Sequence, residues 1–480
     1  MADGLLIGDK ITGGSGAPIR SVNPADGSTN YEIAGASAVD VDSAACLAEK
    51  AVRDKAWRGM KPHERARLLS RIAEAIAANG ETLARQQMIE NGKVLAECRA
   101  QAASAAATFR YYAAACEAME GETPPPRGNY FGMTLYEPYG VVAAITPWNS
   151  PLTMEAQKIA PALAAGNAVL LKPSEVTPGV GLIVARLALE AGLPPGLLQV
   201  LPGSGAEAGA ALVGHDSVRM ISFTGGTGTG RAIARIAADR LVPAALELGG
   251  KSPNIVFADA DPDAAVAGVI GGIFEATGQS CVAGSRLFVE RGIYRDFVDR
   301  IVAASEALKI DLPTAAGAQF GPLASFAQRE RVEGFVADAR AENGAVLTGG
   351  ARPEAAALGK GAYYRPTVIG GLSGAAKVCR EEIFGPVLVA LPFDGEDDLI
   401  AQANDSVYGL ACGLWTADYK RAWRVARAID AGTIWINTYK QLSIAAPFGG
   451  FKQSGIGREK GLAGLRLYQQ AKSLYWGLDD

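Results

Sequence analysis

The sequence predicts an α/β protein built from two successive units of parallel sheet and crossover helices. Three observations carry that class. Short β-type runs alternate with helical segments in two series. The stretch GETPPPRGN divides the first series from an Ala-rich helical region. A chain of 480 residues also exceeds one ordinary core, so two or three domains are expected.

From Glu64 to about Cys116, RARLLSRIAEAIAANG and the Ala-rich stretch after it carry apolar residues at helical spacing. Three consecutive prolines then exclude a helix or a central strand. Beyond them come YGVVAAITP, a helix near 154–165, AVLLKPSE, a helix near 179–191, LLQVLPG, a helix near 206–213, and VRMISFTGG. The second series begins near NIVFADAD. It passes through a helix over about Ala264–Thr277, SRLFVE, a helix near 293–308, AVLTGG, PVLVALPF, GLACGLWT and GTIWINT.

Composition excludes several classes. Formal net charge is −4 with both signs dispersed, which gives no nucleic-acid or anionic-membrane surface. No apolar run approaches the roughly 18 residues of a membrane span, and MADGLLIGDK lacks the regions of a signal peptide, so a cytoplasmic protein is expected. The six cysteines show no C-x-x-C pair, which predicts reduced thiols. Neither His63 nor His215 has a ligand-spaced partner, which argues against a metal site.

Ligands of open parallel sheets sit at strand carboxyl ends, so the loops there are where chemistry is expected. In ITPWNSP, Asn149 is either an oxyanion donor or an Asx turn. In LKPSE, Lys172 and Glu175 could bind ribose hydroxyls or form a solvated loop. GSGAEA, with Gly203, Gly205 and Ala208 and with Asp216 further on, matches the dinucleotide fingerprint. FTGGTGTG could bring phosphate to a helix start, and a plain turn is the alternative for both. LELGGKSPN carries Glu247, a general base toward water or a surface carboxylate. In GQSCVAGSR, Cys281 has small neighbours that leave room for a ligand at the thiol. The expected helix end before it disfavours a thiolate, so activation should come from backbone N–H groups or a bound cationic cofactor.

Together with EEIFGPV, NDSVYGLACGLWT and PFGGFKQSGIGRE, these motifs resemble the aldehyde dehydrogenase superfamily over nearly the whole chain. The resemblance implies two Rossmann-like α/β domains plus a small β oligomerisation element. Residues 1–117 and 138–249 would form the NAD-binding domain and 250–450 the catalytic domain. Residues 118–137 and 466–480 would be the oligomerisation element of a homodimer or homotetramer, with 451–465 connecting. It implies that Cys281 attacks the aldehyde, that the Asn149 amide and the Cys281 N–H form the oxyanion hole, and that Glu247 activates water against the thioester.

NAD is the implied cofactor, with NADP possible, because Glu175 would repel a 2′-phosphate. The implied cofactor contacts are Ile145, Thr146, Trp148, Lys172, Ser174, Glu175, Gly205, Gly209, Phe223, Thr224, Gly225, Gly226, Thr229, Leu248, Glu382 and Phe384. Gly226 replaces a serine common in the family, and no metal is implied. The substrate tunnel would be lined by Ser150, Met154, Gln157, Ser280, Val282, Leu442 and Phe448, with Lys440 near its mouth. Ser150 and Gln157 stand where many members carry aromatic side chains, which predicts bulky aromatic or long-chain aldehydes. A small aliphatic aldehyde or semialdehyde enzyme is the alternative, and a non-catalytic NAD-binding homologue is the reading from another class.

Overall fold

The computed structural model describes residues 4–478, so the outermost positions of the expected NAD-binding and oligomerisation segments, 1–3 and 479–480, lie outside the described residues. Two sheets organise the chain. In the first, strands Leu198–Val200, Ala168–Lys172, Val141–Ile145, Val218–Thr224 and Ala244–Glu247 lie side by side and parallel. Val141–Ile145 and Ala168–Lys172 are buried at every position. Helices cover both faces, which is why these strands read as unbroken apolar runs.

The chain steps outward from Val141–Ile145 to Ala168–Lys172 and Leu198–Val200, then returns to place Val218–Thr224 on the other side of Val141–Ile145. That reversal leaves a crevice at the strand carboxyl ends. The register gathers the motif residues there: Ile145 pairs with Lys172 on one side and Phe223 on the other, and Thr224 pairs with Glu247.

The second sheet runs Ala345–Thr348, Thr367–Gly370, Val387–Phe393, Arg286–Glu290, Pro253–Val256, Ala411–Trp415, Thr433–Ile436. All its pairings are parallel except the first. Separate apolar clusters fill its two faces, around Phe335, Phe393 and Leu399 on one and Ile273, Phe297 and Trp435 on the other. Tyr130–Pro138 and Gln469–Gly477 form an antiparallel ribbon of nine paired positions. The Ala-rich helix Leu95–Ala115 packs against the helices Pro62–Ala78 and Pro151–Ala165, its buried Ala102, Ala105 and Ala106 permitting close approach.

Four features depart from the sequence reading. Leu5–Ile7 and Lys10–Thr12 extend the first sheet at one edge, and a helix spans Ala38–Arg53 behind a Ser37 capping box. Gly455–Ile456, in the segment expected only to connect, pairs antiparallel with Ala244–Glu247 at the other edge. The helix expected to reach Thr277 stops at Phe274, because Ala276, Thr277 and Gly278 all adopt positive φ. Cys281 therefore sits in a loop beyond a left-handed turn and does not hang from the helix end. Gly278 is needed there, since a Cβ would collide with the Gly385 carbonyl.

Candidate active site

The site lies where the crevice of the first sheet faces the loop before Arg286–Glu290. A cleft of about 420 Å³ is bordered by Trp148, Asn149, Met154, Glu247, Cys281, Glu382 and Phe384. Asn149 follows strand Val141–Ile145 and precedes helix Pro151–Ala165. Its Nδ2 donates to the Gln279 carbonyl at 2.9 Å, and Asn91 steadies the same loop through the Trp148 carbonyl at 3.1 Å. One amide hydrogen of Asn149 is thus tied to the cysteine loop, and a second remains for an oxyanion.

Cys281 is partly buried, and Gly250 permits its approach, because a Cβ at 250 would strike the Cys281 carbonyl. Burial first, then the Glu382 and Glu247 carboxylates, push its thiol up to about 12. Neighbouring loops hold the segment: Tyr439 Oη donates to the Val282 carbonyl at 3.0 Å, and Gln279 Oε1 accepts from the Ala324 N–H at 2.9 Å.

Glu247 ends its strand buried, with Oε2 unpartnered. Burial, followed by repulsion from Glu459, holds its carboxyl well above the usual carboxylate range, against the pull of Lys158, Arg458 and Lys460. Gly449 leaves it space, since a Cβ there would lie 2.9 Å from Oε1. Behind it, Lys158 Nζ meets Glu459 Oε1 at 2.6 Å, the two side chains 0% and 3% exposed, and also donates to Ser222 Oγ at 3.1 Å. Removing one member of such a pair strands a buried charge. Lys158→Met is therefore expected to lower stability by about 3–5 kcal/mol, read from the urea midpoint. An unchanged midpoint would show that the pair contributes nothing.

The cleft suits the expected dinucleotide. Gly226 caps helix Thr227–Arg240 without a side-chain bond, leaving N–H groups of the first turn for an anion, and Gly226 and Gly228 leave open space beside them. Thr224 Oγ1 and Thr146 Oγ1 are buried without partners. Gly225 packs on the Phe223 ring, and Gly230 lets Leu248 reach the start of the helix. Thr229 lies exposed on that helix. Lys172 Nζ bonds the Pro173 carbonyl at 3.0 Å and Glu175 Oε1 at 3.3 Å, while Ser174 Oγ caps the turn through Val176 N–H at 3.2 Å.

The turn of GSGAEA closes on that group. A Cβ on Gly209 would lie 3.5 Å from Lys172 Cε, and one on Gly205 3.9 Å from Glu175 Oε1. Asp216 is exposed. Glu382 Oε1 accepts from Gly250 N–H at 3.1 Å, and burial raises its carboxyl to about 7. Phe384, at φ 60°, sets its ring edge-on to Trp148 with centroids 5.2 Å apart.

Among the expected substrate residues, Met154 borders the cleft and Val282 and Phe448 are buried near it. Ser150 Oγ accepts from Gln101 Nε2 at 3.0 Å and Lys93 Nζ at 3.4 Å, so polar groups stand beside the small side chain. Gln157 is buried on helix Pro151–Ala165, and the Ser280 carbonyl closes the loop by accepting from Ala283 N–H at 3.0 Å. Leu442 is 48% exposed. Lys440 Nζ turns to the Gly271 carbonyl at 2.9 Å and toward Glu275 at 3.6 Å.

Sequence reasoning missed Lys158, Glu459, Lys251, Gln328 and Arg331. Lys251 is fully buried, its Nζ lacks a partner, and burial lowers its ammonium to about 7. Gln328 and Arg331 hold the Glu382–Phe384 backbone through its carbonyls at 2.7–3.2 Å. A lysine directly before the apolar run IAPALAA was the available signal for Lys158.

Among the described residues, no helix is long and apolar enough to cross a membrane, and no group of three or more His, Cys, Asp or Glu could hold a metal ion. A family model described as the aldehyde dehydrogenase family matches residues 11–474. A betaine aldehyde dehydrogenase of Mesorhizobium japonicum is 43% identical over 475 residues, covering 99% of this chain and 97% of the relative. The NAD+ complex of an aldehyde dehydrogenase from Bacillus cereus superposes with TM-score 0.97 at 39% identity, covering 100% of this chain and 97% of that one. PnpE from Pseudomonas sp. WBC-3 gives TM-score 0.97 at 40% identity, covering 100% and 98%. A cleft that joins a thiol, an amide and a buried carboxylate to phosphate-ready turns agrees with these likenesses, and the chain belongs to the aldehyde dehydrogenase family, oxidoreductases that act on the aldehyde group.

Proposed function

We propose that this chain oxidises an aldehyde to the carboxylic acid with NAD, NADP being the less favoured alternative. The convergence of Asn149, Cys281 and Glu247 on one cleft carries the reading. Cys281 Sγ attacks the carbonyl carbon, and the free Asn149 amide hydrogen with the Cys281 N–H stabilises the oxyanion. NAD, when held in the cleft, would supply the acceptor for the hydride that leaves this adduct. Glu247 then takes a proton from the water that hydrolyses the Cys281 thioester, freeing acid and thiol. Glu382 would hold ribose hydroxyls of NAD, and the N–H groups beside Gly226 would hold its phosphate. Glu175, 43% exposed beside Lys172, disfavours a 2′-phosphate.

The substrate we infer is bulky, aromatic or long-chain, because Ser150 and Gln157 stand where many family members carry aromatic side chains. A second reading is betaine aldehyde, the substrate in the name of the Mesorhizobium japonicum relative. Lys93 beside Ser150 disfavours a quaternary ammonium, which is best held by aromatic faces. Formation of reduced nicotinamide with benzaldehyde, hexanal, acetaldehyde, succinate semialdehyde and betaine aldehyde separates the readings. Higher kcat/KM for acetaldehyde or betaine aldehyde would overturn the bulky one. Ser150→Phe should lower kcat/KM for benzaldehyde by about 10-fold or more while sparing acetaldehyde. Equal effects on both would remove Ser150 from the specificity wall.

The ribbon exposes Phe131, Leu135, Leu474, Tyr475 and Trp476 at 40–74%. Apolar edges of this kind need cover, which supports a homodimer or homotetramer. Light scattering should give two or four times 49.7 kDa, and a monomer mass would end the idea.

A further inference from the structure

A second cavity, of about 500 Å³, lies at the root of the ribbon and is bordered by Arg53, Arg58, Arg65, Trp57 and Tyr139. It is remote from the cleft. Helix Pro151–Ala165 begins beside Asn149, and its last turn gives the Ala164 carbonyl to Arg65 Nη1 at 3.1 Å, so its 15 residues separate the two by about 22 Å.

Arg65 is the unusual member. Its guanidinium lies 5.1 Å from the Trp57 ring centroid, Nη2 makes only a long contact of 3.5 Å to the Met60 carbonyl, and Nε is buried without a partner. The Cys116 thiol lies near enough to bear on it, and burial weakens its hold on the proton. A half-buried cation that meets only carbonyl oxygens and a ring gains from an anion that reaches it. Of the described carboxylates, Glu137 at the rim pairs with Lys472 at 2.5 Å, and Glu49 takes Arg53 at 2.5 Å. Exposed Arg58 adds further positive charge. Gly166, at φ +99°, keeps the wall thin, since a Cβ there would press on the Arg65 guanidinium at 3.4 Å.

We propose that this cavity is a second ligand site, specific for a phosphate monoester carried on a planar ring, such as a nucleoside monophosphate. The guanidinium forks match phosphate oxygens, Tyr139 offers a ring face, and the volume suits a molecule of that size. A monoester dianion carries more charge than either diester phosphate of the dinucleotide, which keeps the two sites distinct.

Titration calorimetry on the intact oligomer with saturating NAD tests it, using AMP, adenosine and inorganic phosphate as separate probes. AMP should bind once per chain and adenosine should not bind. Arg58→Glu, which leaves the cleft untouched, should weaken AMP at least tenfold with unchanged dehydrogenase activity, and Arg65→Gln should weaken it further. No AMP binding, or AMP affinity unaltered in the exposed Arg58→Glu variant, overturns the site even if Arg65→Gln fails to fold. Inorganic phosphate binding as tightly as AMP overturns the role of the ring.

Discussion

Cys281→Ala is expected to lower kcat by about 10⁴ or more with every aldehyde while leaving NAD binding within a few-fold of the parent. No other thiol can substitute, since Cys98, Cys116, Cys379 and Cys412 are buried elsewhere and Cys46 is on the surface of helix Ala38–Arg53. The same thiol should show its environment before any cofactor binds. Burial and the two facing carboxylates hold it up to about 12, so its thiolate is scarce at neutral pH. Iodoacetamide should therefore label Cys281 slowly at pH 7 in cofactor-free protein, faster as pH rises, and faster at fixed pH once the positively charged nicotinamide is bound. Rapid, pH-independent labelling of the free protein would contradict this account.

Glu247→Gln should lower steady-state kcat by about 10²–10⁴ yet preserve a first burst of reduced nicotinamide, because acylation of Cys281 does not use the carboxylate as base. Stopped-flow absorbance separates the steps. Loss of the burst together with turnover would place Glu247 in the first half of the reaction. The parent's pH profile has a definite sign. Burial and Glu459 raise the Glu247 carboxyl, so its base form is present above that raised value and is lost as pH falls through it. Deacylation should thus rise with pH across a range where an ordinary glutamate is already ionised, and Glu247→Gln should flatten the rise.

Much of this site was legible because parallel strands buried on both faces announce themselves as apolar runs, and the loops after them carry glycine, proline and amide residues in fixed positions. Asn149, Glu247 and Cys281 stood out in such loops with alternatives open, and the roles proposed for them came from the family resemblance. The left-handed turn at Ala276 and Thr277 was not, since neither residue favours positive φ and only packing of the chain at Gly278 against Gly385 accounts for it. The edge strands Leu5–Ile7 and Gly455–Ile456 were also hidden, being three and two residues long, too short for any period to show. Lys158 and Glu459 were invisible as partners, because nothing local to either residue points to the other.

That last pair sets the order in which the molecule can be completed. Lys158 leaves the ribosome 301 residues before Glu459, which at roughly 5–20 residues per second is about 15–60 s of synthesis. Until residues 455–459 are made, helix Pro151–Ala165 holds a lysine without its counter-ion, and strand Ala244–Glu247, once made, has an edge that only Gly455–Ile456 covers. The usual rule that an N-terminal domain finishes first is thereby suspended. The nascent chain must wait for residues 455–459 before the ion pair behind Glu247 and the strand beside it are complete.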